Sequence, residues 1–196
     1  MTARWVVDEV TPDRDVRVEW EPISLMFKNA PEPGSDRHRT TSRTHGMLRV
    51  MESVRTELGN EGVFRAYWAF GTHIHNDENL FDFDVADVLE AIGIDRGHAR
   101  AFGDGSWDGE IRRRMDAGLA LVGDDVGTPI IAMEDARGDR VGMFGPVITR
   151  VPDRDDSLRL WDGLVAVTAV PGFWELKRTR TENPEFGDRP AGVPPL

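Results

Sequence analysis

Hydrophobic residues recur along this chain with two different periods, and the switches between them mark out its elements. Trp5, Val6 and Val10 share one helical face, with Asp8 and Glu9 outside it. This predicts the end of an amphipathic helix over residues 4–10, beginning at the very first residue and stopped by Thr11-Pro12-Asp13. The period then drops to two. Val16, Val18 and Trp20 alternate with Arg17, Glu19 and Glu21, a strand signal that continues past Pro22 through Ile23 and Leu25. Residues 29–45 are polar and broken by proline, and read as a loop.

The helical period resumes with Met47, Leu48, Val50, Met51, Val54 and Leu58, and Gly59 closes it. A second helix covers Val63 to Phe70, followed by an irregular stretch over 71–83. Asp84 is placed to cap a short helix carrying Val85, Val88, Leu89 and Ile92, with Gly93 as its stop. One further turn is expected at Ala99–Phe102, then a longer helix from Trp107 through Ile111, Met115, Leu119 and Val122. Residues 129–133 and 141–144 read as two strands of a hairpin around a turn at Asp135–Asp139. A last helix runs from about Ser157 to Val170, a short turn follows at Phe173–Arg178, and 183–196 read as a frayed tail.

Helix, strand, several helices, hairpin, helix is the order of a sheet domain interrupted by a helical insert. The expected division is 1–40 with 125–182 for the sheet domain, 41–124 for the insert and 183–196 for a flexible tail. A length of 196 residues suits one such domain with an inserted subdomain.

Charge narrows the partners. Asp and Glu number 35 against 24 Lys and Arg, a net charge of −11, which opposes nucleic acid and anionic lipid over most of the surface. No apolar run approaches the roughly 20 residues of a membrane helix, and Met1-Thr2-Ala3-Arg4-Trp5 does not resemble a signal peptide. The expectation is a cytoplasmic protein that binds neither nucleic acid nor membrane. Cysteine is absent, so these residues hold no disulfide, no thiolate nucleophile and no thiolate metal ligand.

Few side chains announce chemistry. His73-x-His75 with Asp77 and Glu78 nearby is a candidate metal cluster, but nothing in the pattern fixes its spacing or adds a distant ligand. Starting at Asp77, the stretch also fails as a calcium loop, since its sixth position is Asp82 rather than glycine. One of these histidines lining a ligand pocket is a better reading than a metal site, and an ordinary satisfied or exposed histidine is the alternative. His38 and His45 sit in or beside the polar loop and read as ordinary. No Ser/His/Asp arrangement, phosphate loop or dinucleotide fingerprint is visible, and Gly103-x-Gly105 lacks the strand that would give it meaning. The six tryptophans read mainly as core. Gly123-Asp124-Asp125-Val126-Gly127-Thr128-Pro129 leads from a helix into a strand that starts with proline. A cis bond there would expose neighbouring backbone to a ligand, although only about 5–6% of such bonds are cis in folded proteins.

Several blocks together resemble a known family. They are Asp116-Ala117-Gly118-Leu119, Gly123 to Pro129, Phe144-Gly145-Pro146-Val147, and Phe173-Trp174-Glu175-Leu176-Lys177-Arg178-Thr179-Arg180-Thr181-Glu182. Arg4-Trp5, Ile23-Ser24-Leu25 and Gly71-x-x-Ile74-His75-Asn76 agree as well. Over residues 2–186 the chain is similar to the DsbA-like proteins of actinobacteria, nearest to the mycothiol-dependent (nitro)reductases. The resemblance implies an α/β thioredoxin-like fold with a helical insertion domain. It implies thiol–disulfide chemistry with mycothiol or a similar low-molecular-weight thiol as cosubstrate, no bound cofactor, and a disulfide or electrophilic substrate. It makes Thr128-Pro129 the family's cis-proline and places Thr128, Pro129 and His75 at the substrate. It also places Met1–Trp5 inside the first helix, so that the first strand and the Cys-x-x-Cys motif fall ahead of Met1 and the fold is N-terminally truncated. The 196 residues are accordingly expected to be inactive in thiol exchange. Two alternatives stay open: a cysteine-free binding module, or a relative of kappa-type glutathione transferases and chromene-carboxylate isomerases.

Overall fold

The computed structural model describes residues 1–135 and 137–195. The chain forms two compact units. One comprises Met1–Val18 and Ala117–Gly187; the other comprises Glu19–Asp116 and a C-terminal piece from Asp188.

The first unit is built on α1 (Thr2–Trp5), which continues as a π-helical turn over Val6–Val10, on the hairpin β1 (Ile130–Glu134) and β2 (Arg140–Phe144), and on α6 (Arg154–Thr168). The strands are antiparallel, with Ile130 opposite Phe144 and Glu134 opposite Arg140. The shared face expected of Trp5, Val6 and Val10 forms the centre of the core, and Val16, Val18, Ile131, Leu160 and Trp161 pack around it. Trp5 is buried, its indole N–H donates to the Ser157 carbonyl at 3.2 Å, and its ring lies 5.9 Å from that of Trp161. Asp153 caps α6 by accepting from the Asp156 N–H, so this helix starts three residues earlier than its apolar stripe suggests. Gly142 of β2 faces Leu121 so closely that an added methyl would lie 2.8 Å from the Leu121 Cβ.

The second unit is dominated by α3 (Asp36–His75), with α2 (Leu25–Asn29), α4 (Val85–Ala91) and 3₁₀ segments at Arg96–Gly103 and Gly105–Trp107. Its core joins Met47, Val50, Val54, Ala66 and Phe70 of α3 to Val85, Val88 and Leu89 of α4 and to Ile94. α5 (Asp108–Val122) buries Ile111 and Met115, and the boundary between the units falls inside it, after Asp116.

Several expectations need correction here. α3 starts inside the expected loop, because Ser35 caps it by accepting from the His38 N–H at 3.1 Å. It also continues through 71–75, so His73 and His75 occupy its last turn rather than an irregular stretch. Within this run the expected stop at Gly59 is present: the residue takes φ 61 and ψ −150, a non-helical conformation open essentially to glycine alone, so two helices meet there at a kink. Residues 16–21 are extended, with 16, 18 and 20 half-buried and 17, 19 and 21 exposed, yet among the described residues the one sheet is the β1–β2 pair. The expected strand ends before Ser24, whose hydroxyl accepts from Phe27 N–H and caps α2. Residues 173–178 form no helical turn, and Trp174 and Leu176 are each 85% exposed, so one tryptophan is not core. Among the described residues, no helix is long and apolar enough to cross a membrane.

Candidate functional site

The residues around Pro129 are arranged by the two ends of the hairpin. Gly123, at φ 88, ends α5 with its N–H donating to the Leu119 carbonyl at 2.8 Å. The chain then turns into β1 through a cis Thr128–Pro129 bond, as the resemblance implied. A second cis bond, Gly145–Pro146, follows β2. The register sets the two opposite each other, and the Gly145 N–H donates to the Pro129 carbonyl at 2.8 Å, extending the ladder one rung past Ile130. Gly145 needs its φ of 100, with which a side chain would be strained. Thr2 of α1 reaches the same place, its hydroxyl donating to the Pro146 carbonyl at 2.8 Å. Thr128 is exposed and Pro129 half-buried, so the backbone entering the strand borders solvent while its far side is held by hydrogen bonds.

His75 lies in the other unit, exposed in the last turn of α3. Its neighbour His73 is engaged, with Nδ1 3.1 Å from Asp77 and the ring stacked on Phe83 at 4.9 Å. Asp77 also takes both guanidinium contacts of Arg189, at 2.6 and 3.1 Å, and this pairing holds its carboxyl below the usual range. Among the described residues no three His, Asp or Glu side chains gather closely enough to hold a metal ion.

Sequence reasoning missed two polar clusters in the helical unit. Ser24, His45 and Asp108 form a chain: Ser24 Oγ to His45 Nδ1 is 2.9 Å, and His45 Nε2 to Asp108 Oδ1 is 3.0 Å. Arg49 donates to both oxygens of Asp108, at 2.6 and 2.8 Å, and keeps that carboxyl ionised. Burial lowers the His45 pKa. A neutral imidazole with its proton on Nε2 satisfies every member, since it donates to Asp108 and accepts from the Ser24 hydroxyl. The cluster has the residue types of a nucleophilic triad but not its access, because Ser24 is 0% and His45 2% exposed. It is a structural tie between α2, α3 and α5. The second cluster surrounds Glu52, a 2% exposed carboxylate held by Arg55 at 2.9 and 3.0 Å and approached by Arg114 at 3.4 Å. Arg114 in turn contacts Glu21 and Glu110. His45 and Arg49, four apart on one helix, are the only hint of the first cluster in the sequence, since Ser24 and Asp108 lie far away along the chain.

A small antiparallel sheet, helices of the same unit packed on it and a set of extra helices fit a thioredoxin-like fold. Comparison with protein families matches residues 1–178 to the family described as Rv2466c-like, mycothiol-dependent nitroreductase Rv2466c. The chain belongs to that family. Its role is that of a DsbA-type, thioredoxin-fold oxidoreductase, and the 196 residues here contain no cysteine with which to perform the exchange.

Proposed function

We propose that this chain binds a low-molecular-weight thiol of the mycothiol type, with Thr128 and Pro129 presenting backbone to it, in a cytoplasmic reductase acting on disulfides or electrophiles. The observation that carries the reading is the family match over residues 1–178, in a chain where Thr128 is exposed beside half-buried Pro129 at the entrance of β1. An extended ligand can pair with backbone N–H and C=O groups at the entrance of a strand as an added strand would. The exposure of Thr128 is compatible with such a contact. A compartment that keeps thiols reduced suits a thiol cosubstrate. The expected ligand is uncharged or cationic overall, in keeping with a net charge of −11.

The binding and the chemistry separate in this chain. Without a thiolate no mixed disulfide forms, so the prediction is saturable binding of mycothiol and no thiol–disulfide turnover by the 196 residues. Calorimetric titration with mycothiol tests the first part, and a coupled disulfide-reduction assay tests the second. Pro129→Ala, which removes two ring methylenes beside exposed Thr128, is expected to weaken binding about tenfold, the size of a lost apolar contact. Unchanged affinity in that variant, or turnover by the parent chain, would overturn the reading.

A further inference from the structure

The helical unit carries an open surface groove of about 430 Å³ between the first half of α3, the start of α4 and the 3₁₀ segment Arg96–Gly103. Its wall combines apolar surface from Phe83, Ala99 and Phe102 with three guanidinium groups, those of Arg43, Arg96 and Arg100, against one carboxylate, Asp84. Three guanidinium groups thus converge on one groove in a chain whose acidic residues outnumber its basic ones 35 to 24.

The charges are not equivalent. Arg96 is already paired with Asp87 at 3.1 Å and Glu90 at 3.2 Å. Asp84 uses Oδ1 to accept from the Ala86 and Asp87 N–H groups. Arg43 is different. It donates through Nε to the Leu80 carbonyl at 3.1 Å and through Nη2 to the Phe83 carbonyl at 2.7 Å. Its guanidinium lies 5.0 Å from the centre of the Phe83 ring and 5.0 Å from that of Phe102. The cation is therefore fixed in place and partly desolvated, with carbonyls and ring faces rather than a carboxylate as its direct partners. Arg100 is exposed at the rim.

We propose that this groove is a binding site for an organic carboxylate with a compact apolar body, the carboxylate meeting Arg43 and Arg100 and the body resting against Phe83, Ala99 and Phe102. A guanidinium held rigid before the ligand arrives loses little entropy on binding, and its hydrogen bonds to a carboxylate are charge-assisted. The site uses only residues of the helical unit and does not depend on the cis-proline reading.

Para-fluorobenzoate followed by fluorine NMR is the probe, with para-fluorobenzyl alcohol as its uncharged counterpart. The benzoate is expected to bind saturably with a dissociation constant on the order of 1 mM or tighter, and the alcohol about tenfold more weakly. Arg100→Gln, which removes a rim charge and touches no core residue, is expected to weaken the benzoate about fivefold and leave the alcohol unchanged. Ala99→Leu fills the groove and is expected to abolish both. Thermal melts confirm that each variant is folded. Equal affinity for the two probes, no saturable binding of the benzoate up to about 20 mM, or full binding by a folded Ala99→Leu variant would each overturn the proposal.

Discussion

His45 illustrates how much a single buried side chain can decide. It sits between a hydroxyl and a carboxylate, and burial lowers its pKa against the pull of Asp108 toward the charged form. The unfolded chain takes up a proton near the ordinary histidine value of about 6.5, whereas the folded chain resists it. Stability contributed by this site is therefore complete above about pH 6.5 and declines as the pH falls below it, with a further loss in acid as Asp108, whose pKa is lowered by Arg49, is protonated. Urea unfolding between pH 7.5 and about 5 should show this decline, and His45→Asn should flatten it relative to the parent. Asp108→Ala strands the buried His45 N–H and should cost about 2 kcal/mol at neutral pH by the same measurement. Glu52→Ala should cost more, about 3 kcal/mol, because it leaves Arg55 and Arg114 without their buried counter-charge. None of these clusters is readable from local pattern. Periodicity identifies which face of α3 is apolar, but it says nothing about the polar residues from distant segments that close over that face.

Helix boundaries depend on backbone hydrogen bonds at the ends, and this is where pattern and structure part. The segment 36–46 was unreadable as helix because it buries Thr41, His45 and Gly46, a face without large apolar residues. Its start rests on one hydroxyl, that of Ser35. The alternation at 16–20 correctly marks which residues turn inward, yet a strand is defined by its neighbour, and no single-chain pattern supplies one. Gly59 was legible as the point where one helix ends and the next begins, and its non-helical φ and ψ form the kink between them. Because its φ is positive, Gly59→Ala should destabilise the protein by about 1–3 kcal/mol even though the space for a methyl is open, and chemical denaturation would measure it.

At the level of the molecule the two units differ in how well they are anchored. The helical unit has a core of thirteen buried residues running from Met47 to Ala101. The other has three, Trp5, Val6 and Val10, ringed by half-buried neighbours, and neither strand of its hairpin contains a buried residue. Isolated two-stranded hairpins are marginal in water. Hydrogen exchange should therefore be at least about tenfold faster at the β1 and β2 amides than at Val50–Val54 and Val63–Phe70 of α3. Comparable protection in the two regions would contradict this account. The resemblance conveyed the fold, the family and the cis-proline because those rest on blocks spread from Arg4 to Glu182, each placed by its neighbours in the chain. The clusters and the groove depend on side chains that meet only after folding, and no block in the sequence encodes them together.

Gly46 never touches the groove, yet it governs it. The ring of Phe102 lies so close that a methyl at position 46 would sit 2.6 Å from two of its carbons. Any larger residue there must displace that ring, and the same ring is both a wall of the groove and one side of the Arg43 sandwich. A homologue with alanine or serine at this position would hold a differently shaped recess and a less constrained guanidinium. Ligand preference in the helical unit would then change through a residue hidden on the far side of an aromatic ring, beyond the reach of any scan confined to the residues a ligand contacts.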